Sequence, residues 1–559
     1  MNKKLKIFLP FIVAIAIVLG IFIGDKFSRK QFFGENDRKL NTVLNLIATQ
    51  YVDTVDLNEV VEQSIPKILT NLDPHSSYIS AKNFEDVNNE LEGCFSGIGI
   101  TFTVLKDSVI ISEVLSGGPS QKIGLMAGDR IVTVNDSSII GLHQDKIVKK
   151  IRGPKNSVVN LGIKRSNSNK LLKFTITRGD IPVHTIDASY MLKDKIGYVK
   201  VNKFGKNSYN EFLLSLINLK SQGAEKYIVD LRGNGGGLME PAILMVNEFL
   251  PKNQLIVYTN GRIKANDMQY WSDGTGTFQS DELIVLIDEY SASASEIFAG
   301  AIQDNDRGLV IGRRSFGKGL IQQQIEMPDS SAVRLTIGRY HTPSGRCIQK
   351  SYKPGDEIEY IKELYNRYEQ GEIYNSDSIK VNKNQIFKTL NGRKVYGGGG
   401  IIPDIFVPND TTGITSYYIN VVNAGLLHKF SFRYTDINRD AISKMKDYKE
   451  LMRELPNDDV LLSDFVRFAV QNKVPARWYY INQSRKLIVS QLKSLIARDA
   501  FGNEAFYPVF NENDNNLDAA LNAFANKNAA SPVQLGEKFQ DDEQIGDSET
   551  SKNTEESAD

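Results

Sequence analysis

The sequence predicts an α/β protein made of several domains. Three observations carry that prediction. Two strand–turn–helix units with glycine- or serine-rich turns lie between residues 181 and 350. A series of short alternating strands fills 91–180, and helical periodicity marks both flanks. The 559 residues leave room for roughly three to five domains, at on the order of 100–200 residues each.

Each element follows in chain order. Lys3, Lys4 and Lys6 precede the uncharged run Ile7–Gly24. That run is short for a spanning helix and long for the apolar part of a secretion signal. Residues 1–30 are therefore expected to be a signal anchor, with a cleaved signal peptide as the alternative. Either way the bulk of the chain is exported. Residues 31–90 read as helices, with Val43, Leu44, Ile47 and Tyr51, then Val60, Val61, Ile65, Ile68 and Leu69, at helical spacing. The turn Leu72-Asp-Pro-His-Ser-Ser-Tyr78 interrupts them.

Between 91 and 180 strands are expected at Ile98–Thr103, Val109–Val114, Arg130–Val134, Val158–Lys164 and Leu171–Thr177, with one short helix at Asp145–Ile151. The core, 181–410, opens with the apolar strand Tyr227–Leu231, the turn Gly233-Asn-Gly-Gly-Gly237 and a helix from Leu238 to Phe249. A second strand, Leu283–Ile287, leads through Ser291-Ala-Ser-Ala-Ser-Glu296 into a helix running through Ala301. Residues 351–410 read as loop. Helical periodicity returns over 411–530. The last stretch, 531–559, has nine acidic and two basic residues and reads as a disordered tail.

Composition excludes several functions. Lys plus Arg equals Asp plus Glu at 67 each, so no overall basic excess points to nucleic acid. Cys94 and Cys347 are too few and too far apart for a disulfide framework or a zinc pattern. Five scattered histidines offer no ligand spacing. No metal and no organic cofactor are expected.

The stretch Gly312-Arg-Arg-Ser-Phe-Gly-Lys318 has the spacing of a phosphate-binding loop and follows an apolar run. Such a loop needs Ser or Thr after the lysine, and a helix starting there. Here Gly319 follows, and Leu320–Ile325 fits a strand. On a strand Lys318 and Gln322 would share a face.

A lysine can instead serve as a base when burial lowers its pKa, because desolvation disfavours the charged form. It then needs a nucleophile. The cluster Ser291-Ala-Ser-Ala-Ser-Glu296 sits where a helix starts after a buried strand, beside unpaired backbone N–H groups. That location suits a serine whose oxyanion is held by main-chain donors. Ser293-Ala-Ser-Glu296 also reads simply as a capping box.

These blocks together resemble the serine–lysine C-terminal processing peptidases, also called tail-specific proteases. The resemblance rests on Ser291–Ile297, Phe316-Gly-Lys-Gly319 with Gln322, Asp230–Gly237, Thr342–Arg346, Gly398–Asp404 and Leu72–Tyr78, and runs from about 40 to 410. It implies an α/β (ClpP/crotonase-like) serine peptidase core. Ser293 would be the nucleophile, 25 residues before the general base Lys318, with Gln322 orienting the amine. The oxyanion hole would be the amides of Ala294 and of a glycine in 235–237, taken as Gly236.

The resemblance also makes 91–180 a PDZ domain. Phe95–Thr101 and Gly124–Ile131 match its blocks, and Ser96, Gly97, Ile98, Gly99 and Ile100 would bind a peptide by strand addition. Ile147 and Ile151 of the short helix are candidate groove walls beside Ile98 and Ile100.

The implied function is a serine endopeptidase that takes the apolar C-terminal tails of exported proteins. It would be held on the periplasmic side of the inner membrane by its N-terminal segment. An adaptor or activating partner and an oligomer are compatible with it. A catalytically idle PDZ scaffold is the alternative; a complete Ser293, Lys318 and Gln322 set speaks against it.

Overall fold

The computed structural model describes residues 35–105, 108–115, 117–165 and 170–526. The expected anchor at 1–30 and the acidic tail at 531–559 lie outside these residues. Helices Glu35–Gln50 and Leu57–Thr70 belong to one compact unit, and the residues from Asp73 onward form another.

The heart of the second unit is a six-stranded sheet in the order Ile186–Met191, Ile196–Val201, Lys226–Asp230, Glu282–Ile287, Leu309–Gly312, Ile405–Phe406. Its first pair is antiparallel and the rest are parallel. The strands read as unbroken apolar runs because both faces are covered. Alternate side chains go to opposite layers. Tyr227, Val229, Leu283, Val285 and Ile287 pack under helices Ser208–Ser221, Met239–Asn247 and Ala294–Asp304. Ile228, Ile284 and Leu286 meet Leu517, Ala520, Ala523 and Phe524 of helix Asn515–Ala525. That last helix therefore belongs to the core, although the sequence grouped it with the helical region after 411.

A second, antiparallel sheet is built on Ala332–His341, which pairs with Ser77–Ile79, Leu255–Gly261 and Leu320–Glu326. Helix Glu357–Glu369 lies in the stretch read as loop. Its apolar residues Ile358, Ile361 and Tyr365 face outward rather than marking a buried stripe, which hid it in the pattern. Seven helices between Ser416 and Phe510 bury a core of their own around Leu461, Phe465, Ile481, Ile488 and Leu492.

The β-rich insert has the strand order Ile100–Leu105, Ser108–Val114, Arg130–Val134, Val158–Lys164, Leu172–Thr177, with helix Gln144–Ile151 alongside. Every expected strand is present within two residues of its expected bounds. Entry and exit strands Cys94–Gly97 and Gly179–Pro182 pair with each other and close the insert at its base.

Candidate active site

The two strand–turn–helix junctions lie side by side, because strands Lys226–Asp230 and Glu282–Ile287 are parallel neighbours. Their turns emerge at the carboxyl end of the sheet, where open α/β sheets place their ligands. Hydrogen bonds stitch the turns together. Gly233 N–H donates to Asp288 Oδ1 at 2.9 Å, and Ala292 N–H to the Asn234 carbonyl at 3.0 Å.

The three serines of the cluster are not equivalent. Ser291 Oγ donates to the Leu231 carbonyl and Ser295 Oγ to the Asn234 carbonyl, and both side chains are fully buried. Only Ser293 keeps partial exposure between residues 291 and 304. Its backbone has φ 57° and ψ −113°, a region that costs a non-glycine residue energy unless the surroundings enforce it.

Two side chains do the enforcing. Glu296, fully buried in the first turn of the helix, accepts the Ser293 N–H at 2.8 Å and the Lys318 N–H at 2.9 Å on one oxygen. Its other oxygen accepts the Ser315 hydroxyl and the Gly317 N–H. Burial pushes this carboxyl up from its ordinary pKa, against the pull of those donors. From the opposite side Tyr340 Oη shares its proton between the Ser293 carbonyl at 3.1 Å and the Lys318 carbonyl at 2.6 Å. Serine loop and lysine loop are thus clasped by both their N–H and their C=O groups.

Lys318 precedes strand Leu320–Glu326, so the helix that a phosphate loop requires is replaced by a strand. Its Nζ donates to Gln322 Oε1 at 3.0 Å. The pair does meet, with a bulge at Ile321/Gln322 replacing the simple alternation expected from the sequence. Gln322 Nε2 in turn donates to the His75 carbonyl, which leaves Oε1 facing the lysine. Asp73 builds that turn by accepting the N–H groups of His75 and Ser76. Burial, then the Arg334 cation, lowers the Lys318 pKa against the attraction of Glu296 and Asp73. The His75 imidazole, bonded to Tyr360 Oη at 2.8 Å, is pushed down to about 4, first by burial and then by Lys318.

The Ala294 amide opens the helix and has no acceptor within it. Gly236, expected to be a free donor, is different. Its N–H is held by Asn234 Oδ1 at 2.8 Å, while its Cα abuts the elbow so closely that a Cβ would stand 2.8 Å from that of Ser293. Gly235 and Gly237 flank it and are both exposed.

In the insert, Ile98, Ile147 and Ile151 are core residues rather than exposed groove walls. Ser96 Oγ donates to the Gly153 carbonyl, and Ser96 and Gly97 lie in the basal ribbon. Gly99, at φ 77°, turns the chain into strand Ile100–Leu105, an edge strand paired on one side only among the described residues.

Glu296 was legible only as a cap, and the Leu72–Tyr78 block was visible without its purpose. Tyr340 and Asn234 gave no signal, because their partners are 47 and 60 or so residues away in sequence.

Peptidase family S41 matches residues 195–358, a PDZ domain residues 89–164, and a family of unknown function (DUF8443) residues 417–502. A carboxy-terminal-processing protease of Bartonella bacilliformis is 35% identical over 316 residues, covering 56% of this chain and 72% of that protein. The carboxy-terminal processing protease CtpB of Bacillus subtilis is 31% identical over 349 residues, 62% of this chain and 72% of its own. Among solved structures, the photosystem II D1 C-terminal processing protease aligns over 57% of this chain and 91% of its own, at 24% identity and a TM-score of 0.32.

Proposed function

The chain belongs to peptidase family S41, as a carboxy-terminal processing protease with a PDZ domain, and on that premise we propose a serine–lysine mechanism with Ser293 as nucleophile and Lys318 as base. The observation that carries it is the contrast within the cluster. Ser291 and Ser295 spend their hydroxyls on buried carbonyls, while Ser293 stands strained and partly exposed on the loop that Glu296 and Tyr340 clasp to Lys318.

In this reading the neutral Lys318 amine, aimed by Gln322 Oε1, takes the Ser293 proton as Oγ attacks the scissile carbonyl. The oxyanion is held by the Ala294 N–H and an amide of the glycine run. Gly236 can serve only if Asn234 Oδ1 releases or shares it, so Gly235 and Gly237 are its competitors. Collapse of the intermediate passes the proton from the Lys318 ammonium to the leaving amine. The acyl-enzyme is then hydrolysed by a water that the same amine deprotonates.

The PDZ domain binds the substrate protein, and the proposed ligand is an apolar C-terminal tail added as a strand beside Ile100–Leu105. Action at the periplasmic face, attachment through residues 1–30, and any adaptor or oligomer belong to the same proposal.

The test incubates the full chain and its Ser293→Ala form with an unfolded protein ending in apolar residues, with products followed by mass spectrometry. Cleavage by the parent alone supports the nucleophile. Equal cleavage by both sinks it, and binding without cleavage by either points to the idle scaffold.

A further inference from the structure

Resting on the reading that residues 233–237 line the oxyanion site, we infer that Asp514, far along the chain beyond the matched peptidase region, is a positioning residue for that loop. Four of the five residues 233–237 are glycines without side chains, and Asn234 fixes the middle of the loop through the Gly236 N–H and the Val201 carbonyl, so what remains to be set is how its ends are held. Arg232 is its N-terminal anchor. The Arg232 N–H donates to Asp230 Oδ1 at 2.9 Å, and its carbonyl accepts Lys200 Nζ. Arg232 Nε lies 3.0 Å and 3.1 Å from the two Asp230 oxygens, and Nη2 bonds one of them. This leaves Nη1, which meets both oxygens of Asp514 at 3.0 Å and 2.7 Å.

Asp230 and Asp514 thus grip the guanidinium from opposite sides. Burial alone would favour a neutral Asp230, yet Arg232 and Lys200 hold that carboxyl well below the usual carboxylate range. Asp514 is itself immobilised. It caps helix Asn515–Ala525 by accepting the N–H groups of Asn516 and Leu517, and the first turn of that helix buries Leu517 against the far face of the core sheet, with Phe524 at the helix's other end. Packing does not substitute for the clamp. Arg232, Gly233, Asp288 and Asp514 border a cavity of ≈ 670 Å³ between the sheet end and the helical region, so the root of the loop faces open space on that side.

The capped first turn of helix Asn515–Ala525 is on this account part of the catalytic scaffold. Asp514 acts through Arg232 and touches no substrate. The experiment compares the full chain with Asp514→Asn, Asp514→Glu and Phe524→Ala, by hydrogen exchange of the 231–238 segment and by steady-state cleavage of the same unfolded substrate. Asn is itself a good helix cap, so Asp514→Asn removes the charge and spares the helix.

Exchange over 233–237 is expected to speed up in Asp514→Asn while strand Lys226–Asp230 stays protected. Its kcat should fall between about tenfold and a hundredfold, with KM within about twofold. Asp514→Glu should recover part of the rate. Phe524→Ala should lower Tm and leave both the loop exchange and kcat at 25 °C unchanged. Unaltered loop exchange in Asp514→Asn overturns the inference, and so does a kcat loss that Phe524→Ala reproduces. Exchange does not depend on turnover, so it decides the clamp even if Ser293→Ala were to show that the assigned nucleophile is wrong.

Discussion

Two regions of this chain are proposed to meet a polypeptide, and they are built in opposite ways. The serine–lysine junction is closed on itself. Four N–H and O–H donors converge on buried Glu296, Tyr340 ties the two carbonyls, and the Ser293 backbone is forced to φ 57°. The insert leaves strand Ile100–Leu105 at one edge of its sheet, with an unoccupied side among the described residues, over a buried apolar core. A site that must stabilise developing charge has its dipoles fixed before the substrate arrives. A site that captures an extended chain keeps its backbone valence open. Perturbing each region should therefore give different kinetic signatures.

The largest effect is expected from breaking the clasp. Glu296→Ala removes one carboxylate from four donors in a dry site, and each donor left unpaired costs about 1–3 kcal/mol. Ser293 and Lys318 lose their shared anchor, and a misplacement of about 1 Å costs on the order of 100-fold in rate. We expect kcat to fall by at least about 100-fold, with a lower Tm by calorimetry. Glu296→Gln should be milder. Its NH2 would turn towards the Ser315 hydroxyl, which can accept instead, leaving the Gly317 N–H as the one group facing another donor. Equal rates for the parent and Glu296→Ala would show that the elbow is held by its backbone alone.

That clasp also marks the limit of what could be read from the residues. Ser293, Lys318 and Gln322 were legible because each lies in a short motif whose neighbours are close in sequence. Strands in the insert were legible because one face of each is buried and the alternation survives. Glu296 showed its local task, the cap, and hid its long-range one, since Ser315 and Lys318 reach it from 19 and 22 residues further along the chain. Arg232 and Asp514 are 282 residues apart, and no periodicity connects them. The sequence does not distinguish Gly236 from the glycines on either side of it; the fold does, by burying it against Ser293 and giving its amide to the Asn234 side chain. Helix Glu357–Glu369 buries Tyr360 but leaves Ile358, Ile361 and Tyr365 exposed, so it presents no continuous buried stripe.

A smaller effect, of position on the pH axis rather than of ceiling, should follow from the charge around the lysine. As the proposed base, Lys318 has to be neutral to accept a proton, so kcat/KM should rise with pH through its lowered pKa and then level off. His75, pushed down to about 4, cannot supply that rise at neutral pH. After burial, the Arg334 cation is the next influence lowering Lys318. Arg334→Leu removes it, raises the Lys318 pKa, and should displace the limb to higher pH while the plateau is kept. Lys318→Arg keeps its charge at every accessible pH and should be inactive throughout. A profile of kcat/KM between about pH 5 and 10 reads all three. An unmoved limb in Arg334→Leu would mean that burial alone sets the amine.

The smallest effect should come from the open region, and it should appear in a different constant. Gly99 turns the chain at φ 77° into the edge strand, and a Cβ there would stand 3.2 Å from the Gly118 backbone and 3.0 Å from Ile181 Cδ1. Gly99→Ala adds strain of roughly 1 kcal/mol at that turn. If the cost falls on strand addition, it weakens tail capture about fivefold. KM should rise by about that factor for a substrate with an apolar tail, with kcat within about twofold. The same protein with a charged tail, which gains little from the groove, should be cleaved equally by the parent and the variant. Should kcat fall together with capture, the two regions are coupled: strain introduced at the turn before Ile100 then reaches Ser293, and the insert helps to set the active conformation besides delivering the tail.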